Sequence, residues 1–191
     1  KNLLQHWALW SDSDELRHLS EDSKRSRGWL KHHHLLDLLR AFPARVPSAQ
    51  DLVDALRPLQ PRLYDVANHI SADTDELELL VKRFDYRLGD KEHPGIASHY
   101  LCALSPGATV RLYPHHNARF ALPQRNEPVI LVGHGTGLAP YRAYLQARAA
   151  RGDDNPCWLV MGEQQYEQDF LYQVEWQAWL ANSTLTHLDP A

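Results

Sequence analysis

The sequence has little of several features that would fix a protein class at once. Among its 191 residues are only two cysteines, Cys102 and Cys157, and they form no CxxC pair. We therefore expect reduced thiols and a cytoplasmic protein, not a disulfide scaffold. No apolar stretch approaches the roughly 20 residues that span a bilayer, so no membrane-spanning role is expected.

Positive charge is also sparse and scattered. The 20 Lys and Arg residues against 24 Asp and Glu give a net charge of −4, with no basic stripe, so a nucleic-acid partner is not expected. Hydrophobic residues make up 43%, enough to build the core of a globular protein. The chain starts at Lys1 without a methionine or a secretory leader, and we expect it to be a fragment.

Twelve histidines are present, but their arrangement does not favour a metal site. His32, His33 and His34 are consecutive, and on a helix they point in different directions. His115 and His116 lie in a predicted loop without a nearby cysteine or aspartate. We expect no metal, and a solvated face is the simpler interpretation.

Apolar periodicity predicts three successive kinds of structure. Residues 3–59 carry apolar side chains at helical spacing, and Ser48 with Asp51 resembles a capping box that opens a helix over Ala49–Arg57. The stretches 76–86 and 109–113 have strand-type composition between turn residues, which predicts antiparallel β-structure.

The remainder predicts a βαβ unit. Val129–Val132 reads as a buried strand, and a helix follows from Pro140 to about Ala150, with Gly152 as its stop signal. Cys157–Met161 would be the next strand. A second helix, about 169–181, and a strand, about 184–189, would continue a parallel sheet.

The strongest local signal is the loop Gly133–Gly137 between that strand and its helix. Glycines allow backbone amides to approach a phosphate closely, and the helix N-terminus adds partial positive charge. A tight strand-to-helix turn without a ligand is the simpler alternative. The pattern is not the usual dinucleotide fingerprint, because its third glycine comes one residue early.

The sequence Gly-x-Gly-Thr-Gly-x-Ala-Pro at Gly133–Pro140 resembles the nicotinamide-nucleotide motif of ferredoxin-NADP reductase-like enzymes. The likeness is greatest to the sulfite reductase flavoproteins and their diflavin relatives, and the run 169–177 resembles a later segment of that family. The resemblance implies binding of NADPH by Gly133, Gly135, Thr136 and Gly137. We call Gly133–Gly137 the nucleotide loop.

Two upstream segments resemble the flavin motifs of the same family. The first flavin segment, Arg62–Asp65, resembles Arg-x-Tyr-Ser, which implies that Arg62 pairs with the FAD pyrophosphate and Tyr64 packs on the isoalloxazine ring. From the residues alone, an ordinary strand with a salt-bridged arginine is the alternative. The second flavin segment, Gly95–Ser98, resembles Gly-Val-Ala-Ser, whose amides and hydroxyl hold the pyrophosphate. The implied FAD-binding residues are Arg62, Leu63, Tyr64, Asp65, Gly95, Ile96, Ala97 and Ser98.

The sequence departs from the family pattern at important positions. Asp65 stands where the family has the serine beside flavin N5, and it is the candidate catalytic residue. Its carboxylate would oppose the negative charge of a reduced flavin. Asn68 replaces a further serine, and His134 replaces a proline in the nucleotide loop.

These observations predict an α/β fold with an antiparallel β-barrel, ferredoxin-NADP reductase-like and incomplete at both ends. The predicted parts are a helical connecting segment (1–58), a partial FAD-binding barrel (59–126) and the first half of an NADP-binding domain (127–191). The implied reaction is hydride transfer from NADPH to FAD, then electron transfer to an FMN domain or a sulfite reductase haemoprotein. The alternative is a catalytically inactive relative with a structural or regulatory role.

Overall fold

A computed structural model describes residues 2–71, 75–118, 120–123, 126–162 and 170–190. The described chain is a mixed α/β protein that divides into two compact units. One contains the residues up to Pro61 together with Phe84–His99, and the other contains Arg62–Arg83 together with the residues from Tyr100 onward. Each unit is described separately below.

The first unit begins with five short helices, as the apolar spacing of residues 3–59 predicted. They are α1 (Asn2–Trp10), α2 (Asp14–Glu21), α3 (Ser23–Leu30), α4 (Leu35–Ala41) and α5 (Ala49–Ala55). Side chains cap several of their starts: Ser13 accepts from the Leu16 amide at 3.2 Å, and Ser48 accepts from the Asp51 amide at 3.2 Å. The Ser48 start was predicted correctly, whereas α5 ends two residues earlier than expected.

A small apolar core holds these helices together. Its buried members come from α1, α2, α4 and the residue after α4, and they include Leu4, Trp7, Leu16, Leu38 and Phe42. The Trp7 indole donates a hydrogen bond of 2.7 Å to the Phe42 carbonyl, which satisfies the polar atom of a buried aromatic ring.

An antiparallel hairpin follows in the same unit. It consists of β1 (Asp85–Leu88) and β2 (Lys91–Pro94), with Gly89 at φ +60° in the turn, and α6 (Ile96–Cys102) comes next. The predicted strand over 109–113 is wrong, because those residues form no ladder. Of the stretch 76–86, only Leu79 pairs outside the hairpin, through an isolated bridge to Val66. Strand-type residues need a partner strand, and the described residues supply too few for a closed barrel.

The second unit contains the predicted parallel βαβ arrangement. Its elements are β3 (Val129–His134), α7 (Ala139–Arg151), β4 (Cys157–Gly162), α8 (Gln173–Ala181) and β5 (His187–Pro190). The strand order is β3-β4-β5, all parallel, with Leu131 beside Leu159 and Leu159 beside Leu188. The start predicted for the second helix, at 169, lies outside the described residues.

The core of this unit lies between one face of the sheet and the helices. Leu131, Leu145, Leu159 and Trp176 are among its fully or nearly fully buried members. The prediction of a buried strand holds for only one face of β3, since Ile130 is 63% and Val132 65% exposed. Alternate residues of a strand point to opposite faces, and the described helices cover only the face that carries Leu131.

Candidate functional site

The nucleotide loop leads directly from β3 into α7. Its residues Gly135–Leu138 form one turn of 3-10 helix, and Gly135 has φ +52°, a conformation that strongly favours glycine. Pro140 lies in the first turn of α7, and Gly152, at φ +70°, terminates the helix. Both ends of α7 were predicted from these two residues. The loop is therefore held between two elements of the core.

A neighbouring aromatic ring leaves no room for a side chain at Gly133. A Cβ at this position would lie 2.7 Å from Cε2 of Tyr141, whose hydroxyl donates a 2.9 Å hydrogen bond to the Val132 carbonyl. Tyr141 thus covers the end of β3. By contrast, a Cβ on Gly135 or Gly137 would meet no atom within 4 Å, so the loop has open space beside these two residues.

A cleft of about 440 Å³ lies beside the nucleotide loop. It brings together four sequence-predicted residues, Asp65, Gly133, Thr136 and Gly137, whereas Gly135 belongs to the loop but does not line the cleft. The remaining lining residues were not among the predicted binding residues: Asn117, Phe120, Val132, His134, Pro140 and Tyr141.

Part of the nucleotide loop is exposed beside this cleft, at the start of α7. No side chain caps the α7 N-terminus, and Thr136 and Gly137 are exposed. The dipole of α7 gives this end of the helix partial positive charge, which favours an anion such as a nucleotide phosphate. The Asp65 carboxylate borders the same cleft and would repel that group.

The first flavin segment is mostly accessible. Arg62 and Asp65 are exposed, Leu63 is 64% exposed, and Tyr64 is half-buried. An accessible guanidinium and a partly covered phenol ring are compatible with contact to a planar phosphorylated ligand. The segment lies in the second unit together with the cleft.

Asn68 has a structural explanation. Its side-chain amide donates to the Glu76 carbonyl at 3.0 Å, and its side-chain oxygen accepts from the Glu78 amide at 2.8 Å. Both polar atoms of this 8% exposed side chain are therefore engaged in holding residues 66–68 against residues 76–79. Asn68, which stands where the family has a serine, therefore stabilises the backbone that follows the first flavin segment.

The second flavin segment lies in the first unit, where Gly95 and Ser98 contact Phe84 and each other. A Cβ on Gly95 would lie 2.8 Å from the Phe84 carbonyl oxygen. The buried Ser98 hydroxyl accepts from the Phe84 amide at 3.1 Å and donates to the Gly95 carbonyl at 3.2 Å. The Ser98 hydroxyl thus has two partners within the protein, and its implied contact with a pyrophosphate stays a prediction. Ile96 is 63% exposed, and Ala97 follows it in the first turn of α6.

An arginine on α7 forms the densest polar network of the second unit. Arg142 donates from Nε to both Glu175 oxygens, at 3.0 and 2.7 Å, and from Nη1 to the Ala67 carbonyl at 2.7 Å and Glu78 at 2.6 Å. Its guanidinium also lies 5.0 Å from the centre of the Tyr172 ring. Burial alone would lower the pKa of Arg142, but the bonds to Glu175 and Glu78 outweigh it, so the pKa lies above its usual value.

Other reactive side chains do not form a second site. Burial raises the pKa of the Cys157 thiol to about 11, so little reactive thiolate is present at neutral pH. In the part of the chain that the structure describes, no three His, Cys, Asp or Glu side chains are placed to hold a metal ion. Nor does any helix within the described ranges have the length and apolar character needed to cross a membrane.

Comparison with known proteins supports the nucleotide site and the wider resemblance. The family described as "Oxidoreductase NAD-binding domain" matches residues 131–189. Proteins named "Sulfite reductase [NADPH] flavoprotein alpha-component" are similar over nearly the whole chain. The one from Shewanella sp. (strain MR-4) is 41% identical over 99% of this chain, and the one from Bacillus subtilis (strain 168) is 39% identical over 100%.

The one from Vibrio cholerae serotype O1 (strain ATCC 39541 / Classical Ogawa 395 / O395) is 38% identical over 99% of this chain. The alignments cover 32%, 32% and 31% of these three relatives, so the chain spans about a third of their length. The resemblance expected from the nucleotide loop and the flavin segments is confirmed.

Proposed function

We propose that the chain serves electron transfer from NADPH through FAD. Nearly all its residues are homologous to a segment that makes up about a third of the length of proteins named sulfite reductase [NADPH] flavoprotein alpha-component. The nicotinamide would supply hydride and the flavin would accept it. Electrons would then leave singly for an FMN domain or a sulfite reductase haemoprotein. The proposed compartment is the cytoplasm.

The observation that carries this proposal is the cleft beside the nucleotide loop. It places the exposed residues Thr136 and Gly137, just before α7, beside Asp65, the last residue of the first flavin segment. Gly135, Thr136 and Gly137 would hold a nucleotide phosphate, while Tyr141 covers the end of β3 and keeps Gly133 in place. A nicotinamide site and a flavin site that share one border are what hydride transfer requires.

Arg62 and Tyr64 are the proposed FAD contacts of the second unit. The guanidinium would pair with the pyrophosphate and the phenol ring would cover part of the isoalloxazine. In the first unit, the proposed FAD contact is the first-turn backbone of Gly95–Ser98. Ser98 would shape this turn from within through its bonds to Phe84 and Gly95, without contacting FAD itself.

The three predicted parts remain the proposed organisation of the chain. Residues 1–58 would form the connecting segment, and residues 127–191 would form the first half of the NADP-binding domain. Residues 59–126 would form a partial FAD-binding barrel.

The visible spectrum and an FAD titration test the proposal. Purified chain mixed with FAD and freed of excess should stay yellow, and Arg62→Ala should weaken FAD binding at least tenfold, because it removes a charge-assisted pair. Arg111→Ala is the matched control, since Arg111 is also exposed but lies outside both flavin segments. Arg62→Ala and wild-type chain binding FAD equally well would refute the assignment of Arg62.

A non-catalytic role is the alternative, and Asp65 is the observation that favours it. A carboxylate in the cleft opposes both a nucleotide phosphate and a reduced flavin. On this alternative the chain stays colourless with FAD, and calorimetry detects no NADPH binding. On the proposal, NADPH and NADH both bind, with similar affinities, through the nucleotide loop.

A further inference from the structure

Two side chains on one face of α7 hold the backbone that continues the first flavin segment. Arg142 donates to the Ala67 carbonyl at 2.7 Å, and Gln146 accepts from the His69 amide at 2.7 Å through its side-chain oxygen. Residues four apart on a helix lie on the same face, so both bonds come from one side of α7. The residues they join are 75 and 77 positions apart in the sequence.

The held backbone is itself braced. Ala67 donates from its amide to the Glu78 carbonyl at 2.8 Å, and the Asn68 side chain bonds to residues 76 and 78. Arg142 also pairs with Glu78 at 2.6 Å and with Glu175 of α8, and its side chain is only 11% exposed. Movement of residues 67–69 would therefore break several bonds of a largely buried charged group.

The N-terminal end of the same helix borders the cleft through Pro140 and Tyr141. The nucleotide loop enters α7 within two residues of its last glycine, and Asp65 lies two residues before Ala67. Two residues of chain span at most about 7 Å, so fixing Ala67 keeps Asp65 close to its present place in the cleft. One rigid helix thus fixes the nucleotide loop at its start and the first flavin segment along its side.

We propose that Arg142 and Gln146 are positioning residues that hold the first flavin segment against the nucleotide loop, so that flavin and nicotinamide nucleotide reinforce each other's binding. This inference rests on the proposed function. A ligand that orders one of the two segments orders the other through α7, and the second ligand then binds with less loss of conformational freedom. By linkage the effect is the same in both directions.

Hydrogen exchange in the chain without ligands tests the link itself. Gln146→Leu removes the acceptor of the His69 amide, and exchange at that amide should become about tenfold faster. Gln146→Glu keeps an acceptor oxygen at the same length and should retain protection. Equal exchange at His69 in wild type and Gln146→Leu would overturn the inference.

Calorimetry with NADP⁺ tests the coupling without any reaction. Wild-type chain saturated with FAD should bind NADP⁺ about tenfold more tightly than chain without FAD, within the usual range of coupling between sites. Gln146→Leu and Arg142→Lys should reduce this ratio below about threefold, since a lysine ammonium cannot replace the guanidinium fork. Gln146→Glu and Arg151→Lys should keep it, because Arg151 pairs only with Asp153 among the interactions described for it.

The outcomes separate the two proposals. Wild-type chain that binds neither ligand overturns the proposed function and this inference with it. Wild-type chain that binds both without coupling, or coupling that survives in Gln146→Leu and Arg142→Lys, overturns the inference alone. Should Arg142→Lys fail to fold by circular dichroism, the half-buried Gln146 decides the question through its Leu and Glu variants.

Discussion

The second flavin segment and the nucleotide loop look alike in sequence but differ physically. Both place glycine before a helix, at Gly95 before α6 and at Gly133–Gly137 before α7. Gly95 is surrounded, with Phe84 O 2.8 Å and Ser98 Oγ 3.0 Å from the position of a Cβ. Gly135 and Gly137 have no atom within 4 Å of that position. Gly95 allows other protein atoms to pack closely against it, whereas Gly135 and Gly137 leave space beside the nucleotide loop.

The polar groups around the two segments differ in the same way. Near Gly95, the Ser98 hydroxyl and the Gly95 amide are both engaged with Phe84. At the start of α7, no side chain caps the helix. A glycine-rich helix start is therefore weaker evidence for a ligand where protein atoms already fill the space beside its glycine.

Gly95→Ala should give the largest effect, a loss of about 2 kcal/mol in the free energy of unfolding. The added methyl group would overlap backbone, which cannot move aside as the end of a flexible side chain can. Chemical denaturation measures the loss. The matched control is Gly28→Ala in the exposed interior of α3, where nothing lies within 4 Å and alanine should stabilise by about 0.5–1 kcal/mol. Gly95→Ala as stable as wild type would mean that the segment is looser than its contacts indicate.

Gly137→Ala should have the opposite pattern, with affinity affected more than stability. Its methyl group meets no protein atom but points into space beside the cleft, so NADP⁺ affinity should fall about tenfold. The free energy of unfolding should change by less than about 0.5 kcal/mol. Calorimetry and denaturation on the same sample separate the two quantities. Unchanged affinity would show that the nucleotide does not approach Gly137.

Local signals predicted the parts of the fold that neighbouring residues determine. Pro140 and Gly152 predicted the two ends of α7, and Ser48 predicted the start of α5, because helix ends depend on residues within one turn. The apolar runs of β3 and β4 predicted a parallel pair. The exposure of Ile130 and Val132 was not predictable, since a short apolar run does not say how many faces of the sheet are covered.

The site was predictable only in outline. The resemblance identified the nucleotide loop and Asp65, and the structure brings them to one cleft. Arg142 was missed because its partners Glu175, Glu78 and Ala67 are 33, 64 and 75 positions away. The bond from the Phe84 amide to the Ser98 hydroxyl was not predicted, because the two residues are 14 positions apart.

Ser98→Ala should cost about 1 kcal/mol in the free energy of unfolding and leave FAD affinity unchanged. The substitution removes two hydrogen bonds within the protein and leaves the Phe84 amide without its side-chain acceptor. Denaturation and fluorescence titration with FAD give the two values. A tenfold loss of FAD affinity at unchanged stability would mean that the hydroxyl contacts the cofactor, and the contrast between the two segments would not hold.

Asp65→Asn should give the smallest effect, and it is a gain in affinity. Asparagine has nearly the shape of aspartate but no charge, so its substitution removes a repulsion between the cleft and a nucleotide phosphate without changing the space available. At the surface such a repulsion is weak, and NADP⁺ affinity should rise by about two- to threefold at low ionic strength. Salt screens exposed charges, so the gain should shrink when the titration is repeated at about 1 M salt. Asp12→Asn is the control, since Asp12 borders a different cleft in the first unit. An affinity that falls in Asp65→Asn would show that the carboxylate accepts a hydrogen bond from the nucleotide, and the open cleft would then recognise its ligand through an acceptor as well as through the amides of α7.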